Sequence, residues 1–123
     1  MENDGNIKTA VFTENLLKEI DIAVTLCDKR GKIVYMNDKS VKTFINYGGE
    51  NLIGTDVLEC HPEPSRTLLS EMLQNETKNA YTISKGGIKK MILQIPYSLK
   101  GEYSGFAEFS FEISYNLNHF SRD

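Results

Sequence analysis

The chain has 123 residues, 40% of them hydrophobic and 25% charged, with a formal net charge of -3. That describes one ordinary domain, large enough to bury roughly two thirds of its unfolded surface, with no room for a second. The acidic balance offers no basic face for nucleic acid, no apolar run nears the roughly 20 residues that span a bilayer, and two cysteines make no disulfide framework.

The opening Met-Glu-Asn-Asp-Gly-Asn lacks the basic then apolar layout of a signal peptide, so a reduced, cytoplasmic protein is expected. Residues 1–8 are polar and read as a loose terminus. Phe12, Leu16, Leu17 and Ile20 then recur at helical spacing, which predicts an amphipathic helix over about residues 10–20. A narrow stripe of this kind suits two uses: packing on its own domain, or pairing with a second copy through Phe12, Leu16 and Ile20.

Residues 22–27 and 32–36 are dense in Ile, Val and Leu around an Asp28-Lys29-Arg30-Gly31 turn, the pattern of a β-hairpin. Asn37 follows, with a side-chain oxygen suited to cap a short helix whose buried face is Val41, Phe44 and Ile45. Gly48-Gly49 breaks the chain. Leu52-Ile53-Gly54 reads as a buried hook, and Thr55 as the cap of another helical turn through Val57 and Leu58.

Cys60-His61-Pro62-Glu63-Pro64 is the least ordinary segment. Each proline biases the residue before it to extended geometry, and Pro64 suits the start of a helix running to about Asn75. That helix carries Leu68, Leu69, Met72 and Leu73 on one stripe and is expected to lie across a sheet. Strands follow over 79–84, 88–97 and 103–113, joined at Lys85-Gly86-Gly87 and at residues 98–102 as an antiparallel meander. In the last strand Ala107, Phe109, Phe111 and Ile113 alternate with Glu108, Ser110 and Glu112, which predicts a buried face and a solvated one. Phe106 breaks the alternation on the polar side, beside Ile92 and Gln94, and is expected to be covered by the leading helix or a partner chain.

Catalytic chemistry finds little support. Adjacent Cys60 and His61 in extended chain point to opposite sides, a poor arrangement for a nucleophile and its base. Two Cys and two His show no repeated metal-ligand spacing, the carboxylates Glu50, Asp56, Glu59, Glu71 and Glu76 read as solvated, and no glycine-rich phosphate loop is present. Cys27 reads as a small buried hydrophobe and His119 as solvent-facing. The reading is of a non-enzyme with neither catalytic residues nor a metal site.

In order, these elements resemble the PAS domain family over residues 22–113. The residues that carry the resemblance are Asp28, Gly31, Asn37, Leu52-Ile53-Gly54 and Gly101-Glu102-Tyr103-Ser104-Gly105-Phe106. Cys60-His61-Pro62 before the long helix is similar to a bacterial PAS variant with a Cys-His-Pro segment there. The resemblance implies an α+β fold: a five-stranded antiparallel sheet whose concave face, with short helices and one longer helix, wraps a small cavity. Residues 1–21 would form a tail and amphipathic helix, and residues 114–123 a polar tail. Members of the family hold haem, flavin, small metabolites or nothing, and often dimerise through the leading helix. The blue-light variant needs a reactive cysteine in a segment this chain lacks, so that chemistry is not expected.

Were Phe44, Leu58, Leu68, Met72, Leu93 and Phe109 to point inward, the pocket would be apolar, fit for a flat hydrophobic cofactor or a small apolar molecule; the same residues would equally serve as plain core. His61 has three readings: a haem-iron ligand, a structural residue at the helix start, or a passive surface residue. The expected function is thus a sensory module that binds a small ligand, signals through homodimer contacts, or both, with a haem-based gas or redox sensor and a ligand-free dimerisation domain as alternatives. A complete chain would pass its signal to a separate effector protein; in an excised piece the effector would lie elsewhere in the longer protein.

Overall fold

The computed structural model describes residues 2–59 and 61–123, and side chains from Lys8 onward except Cys60. Helix α1 (Glu2–Glu19) leads into the hairpin β1 (Ala23–Asp28) and β2 (Ile33–Met36). Helix α2 (Asp38–Thr43) and two 3₁₀ turns (Ile45–Tyr47 and Gly49–Leu52) follow, then α3 (Ser65–Asn75) and the meander β3 (Asn79–Lys85), β4 (Ile88–Leu99) and β5 (Glu102–Ile113). The five strands form one antiparallel sheet in the order β2-β1-β5-β4-β3, which sets the first hairpin beside the last strand. No helix among the described residues is long and apolar enough to cross a membrane.

Helix α1 starts at Glu2, so residues 2–8 are helical and not loose; Met1 lies outside the described residues. Its apolar stripe stays outside the domain, with Phe12 68% and Leu16 51% exposed. Only Leu17 and Ile20 are half-buried. The helix is tied to the domain at its end, where Lys18 pairs with Asp38 at 3.3 Å and Asn37 reaches back to the Leu17 carbonyl.

Asn37 does more than cap α2. Only 1% exposed, it accepts from the Ser40 and Val24 N–H groups through Oδ1, and its Nδ2 donates to the Leu17 and Ile22 carbonyls at 3.0 and 2.8 Å. One amide therefore satisfies four backbone groups at the meeting of α1, β1 and α2.

Three local expectations are corrected. Ile45 and Ile53 are exposed, because the chain leaves α2 into 3₁₀ turns whose three-residue period rotates them off the buried face. Thr55 caps no helix; its hydroxyl donates to the Leu52 carbonyl, while Asp56 Oδ1 accepts from the Leu58 N–H in a side-chain-closed turn. The buried hook of residues 52–54 reduces to Leu52, which is half-buried.

The faces of the sheet are also reversed from expectation. Register places Cys27 beside Phe106, Thr25 beside Glu108, and Ile92 beside Ser110, and these side chains turn toward the helices. By the period of two, Phe109, Phe111 and Ile113 lie on the outer face with their partners Leu93, Met91 and Lys89, while Ala107, in the same phase and opposite Ile95, is buried and also borders the cavity. Phe106 is thus an interior residue, 4% exposed, packed in one cluster with Cys27 and Leu73 and flanked by Val57, Leu58, Met72 and Tyr103. No cover from the leading helix or a partner chain is needed to bury it.

Candidate functional site: a cavity on the concave face

Between the concave face of the sheet, α2, the 3₁₀ turns and α3 lies a cavity of about 630 Å3. That is the range of small-molecule sites. Much of its wall is apolar: Met36, Phe44, Leu52, Leu69, Ile92 and Phe106 face it from six different elements or their ends. The polar part comes mostly from the sheet, through Thr25, Gln94, Glu108 and Ser110.

The sequence-derived candidates divide. Phe44 and His61 line the cavity. Leu58 and Met72 pack against the Cys27, Leu73 and Phe106 cluster at its side. Leu68 is 57% exposed on the outer side of α3, while Leu69, its neighbour, faces in. Leu93 and Phe109 lie opposite each other on the outer face of the sheet. Cys60, weighed with His61 as a nucleophile, lies outside the described residues.

His61 sits on the segment before α3, and its Nδ1 is 2.7 Å from the Val57 carbonyl oxygen. A carbonyl only accepts, so that bond requires the proton on Nδ1 and leaves the Nε2 lone pair as the ring's free coordinating group. The segment is held behind it: Arg66 Nε donates to the Leu58 and His61 carbonyls, each at 3.0 Å.

On the opposite wall Gln94 Nε2 donates to Glu108 Oε2 at 3.0 Å, and Gln94 Oε1 accepts from Asn79 Nδ2 at 3.2 Å. These three side chains come from β5, β4 and β3 and share one face by register. Tyr81, also at the cavity, has its phenol pKa raised by burial first and by the Glu108 charge second, so the field of that carboxylate reaches β3. The Cys27 thiol is buried at the cavity edge and its pKa is pushed up to about 11, chiefly by desolvation. Such a thiol is unreactive.

The sequence reading missed Glu108, Gln94 and Ser110 because polar residues on an alternating strand are ordinarily the wet ones. The signal was Phe106, out of phase with the apolar set and in phase with Glu108 and Ser110 on the same strand; Gln94 joins them only through the register of β4 with β5. No group of three or more His, Cys, Asp or Glu among the described residues is placed to hold a metal ion.

This architecture, a five-stranded antiparallel sheet in the order β2-β1-β5-β4-β3 with helices and a cavity on its concave side, is the PAS fold. The chain superposes on the PAS domain of an HTR-like protein from Haloarcula marismortui with a TM-score of 0.67 and 15% identity, over 91% of this chain and 98% of that one. It matches the PAS domain of BvgS from Bordetella pertussis with a TM-score of 0.63 and 18% identity, over 87% and 88% of the two chains. The Aer2 receptor from Vibrio cholerae, described as a dual PAS-haem oxygen sensor, matches at 0.56 and 20% identity over 76% of this chain and 95% of that one. No protein-family model and no curated protein matches the sequence.

Proposed function

We propose that this chain is a sensory module that holds a small molecule in its concave cavity and reports occupancy through contacts with a second copy. The observation that carries the reading is the cavity itself: about 630 Å3 of space where a domain of this size is ordinarily close-packed. Fold neighbours drawn from a sensor histidine kinase and an oxygen-sensor receptor support a role in signalling. For the reporting surface, Val11, Phe12 and Leu16 form an exposed stripe on α1, and the outer face of the sheet carries half-buried Leu93, Phe109 and Phe111. A separate effector protein would read the paired form. The Cys27 thiol is buried with a raised pKa, which fits a module that works by binding and not by turnover.

Native mass spectrometry of the freshly purified protein tests this. A retained small molecule that is released on denaturation, and that is absent from an Ile92→Trp variant with its cavity filled, is the expected result. Wild-type protein that retains nothing and whose melting temperature no small compound raises would leave a dimerisation domain in its place.

A second reading rests on His61. Its Nε2 lone pair beside an apolar cavity suits an axial haem ligand, with the Val57 carbonyl behind the ring as the orienting partner. Haem bound there would supply gas or redox sensing. Addition of haem to the protein should then give a Soret band that shifts in His61→Ala; identical spectra for the two proteins would dismiss it.

A further inference from the structure

Among the described residues Glu108 is the only carboxylate lining the cavity, and it is held there in an oriented way. Asn79 donates to the carbonyl oxygen of the Gln94 amide, which fixes the amide so that its NH₂ end turns to Glu108 Oε2. Oε2 is therefore occupied. Oε1 has no hydrogen-bond or ion-pair partner among the described residues, and the residue lies mid-strand in β5, partly buried.

Lys90 is the cation nearest in kind, since it too lines the cavity, but it does not neutralise Glu108. It pairs in register with Glu112, whereas Glu108 pairs with Gln94. Four residues along a strand separate the two positions by about 13 Å, and no ion pair joins them among the described residues. His61, the other basic group on the wall, spends its Nδ1 proton on the Val57 carbonyl. Glu108 shares the cavity wall with Phe106, Ile92 and Leu69 and has no ion-pair partner among the described residues, so a cationic ligand group would complete it.

We infer that the cavity takes a small organic amine: an apolar or aromatic body against Phe44, Leu69, Ile92 and Phe106, with a protonated nitrogen donating to Glu108 Oε1. This rests on the proposal that the cavity holds a small molecule, and it adds the chemical class. Ser110, buried two residues along β5, and Thr25, beside Glu108 in register, supply hydroxyls next to the same point. Thr25 Oγ1 is shared with Ser40 Oγ at 2.6 Å, which connects the head-group end of the cavity to α2. A charge-assisted bond in a water-poor site is stronger than a neutral one, so the amine outranks an alcohol of the same shape.

Three amines, phenethylamine, tryptamine and hexylamine, are titrated into the ¹⁵N-labelled protein at millimolar concentration, each against its matching alcohol. The expected result is binding of at least one amine, seen as amide shifts at Ile92, Phe106 and Ser110, about tenfold or more tighter than its alcohol. Glu108→Gln keeps the Gln94 contact and removes the charge, and should bring that amine to parity with the alcohol. Equal affinity of amine and alcohol in the wild type would overturn the amine assignment and leave a neutral-ligand cavity standing. Absence of cavity shifts with all six compounds would overturn both. If Glu108→Gln fails to fold, the wild-type ratio of amine to alcohol decides alone.

Discussion

Replacing Asn37 by aspartate is the most informative perturbation of the fold, because the two residues are equally good helix caps. If Asn37 served only α2, aspartate would be neutral and alanine would cost about 1 kcal/mol. The structure gives it four backbone bonds instead, two accepted from Val24 and Ser40 and two donated to Leu17 and Ile22. Alanine forfeits all four and strands the buried Val24 N–H; at about 1 kcal/mol per bond the loss is roughly 3–5 kcal/mol. Aspartate keeps the accepted pair, but it has no donor for two carbonyls that sit about 3 Å away. Two missing bonds and a carboxylate facing carbonyl oxygens in a site 1% exposed cost about 2–4 kcal/mol. Equilibrium urea unfolding followed by far-UV circular dichroism measures both. An Asn37→Asp protein within 0.5 kcal/mol of wild type, on the order of the spread among ordinary surface substitutions, would refute the four-bond junction and reduce Asn37 to a cap.

Other outcomes follow from the same structure. At Gly105 an added Cβ would meet the Cys27 carbonyl oxygen at 1.9 Å and Asp28 Cα at 2.9 Å, both main-chain atoms that cannot rotate away. Gly105→Ala should therefore cost about 3 kcal/mol, whereas Gly87→Ala, with nothing within 4 Å, costs only its left-handed strain; thermal melts compare them. With the Cys27 pKa raised from 9.0 to about 11, the folded state holds its proton after the unfolded state has lost it. Stability is then fully present below pH 9 and falls between pH 9 and 11, by at most about 3 kcal/mol, and the pH profile of Cys27→Ala lacks that component. Phe12→Glu with Leu16→Glu should convert a dimer to monomer in sedimentation equilibrium, while the unfolding midpoint of the monomer hardly changes, since both side chains are exposed. A wild type that sediments as a monomer at every concentration would refute that reading.

The strands and turns were legible because β-branched runs and glycine-bearing turns act locally: Gly31, Gly86-Gly87 and Gly101 all lie in turns at positive φ. Alternation in β5 was equally plain, yet it says only that two faces differ and not which one meets the helices. Ala107, Phe109 and Phe111 outnumber Glu108 and Ser110 in apolarity, and the sheet turns the less apolar set inward because a cavity, and not a packed core, lies there. In α3 the stripe was right for Leu69, Met72 and Leu73; Leu68 falls at the edge of the arc and stays in water. Asn3, Gly5 and Asn6 are weak helix formers, which hid the first turns of α1. Phe44 was readable from its place on the apolar side of α2, and His61 was one of three readings that the resemblance and its imidazole left open, while the Glu108, Gln94 and Asn79 chain depends on a register that no single strand encodes.

On β5 the side chains of Glu108 and Phe109 leave consecutive Cα atoms on opposite sides of a single layer. A sheet one strand thick has no interior in which a displacement can be absorbed. An occupant that drew on Glu108 would tilt the peptide that also aims Phe109, so the exterior would register the arrival with no relay between.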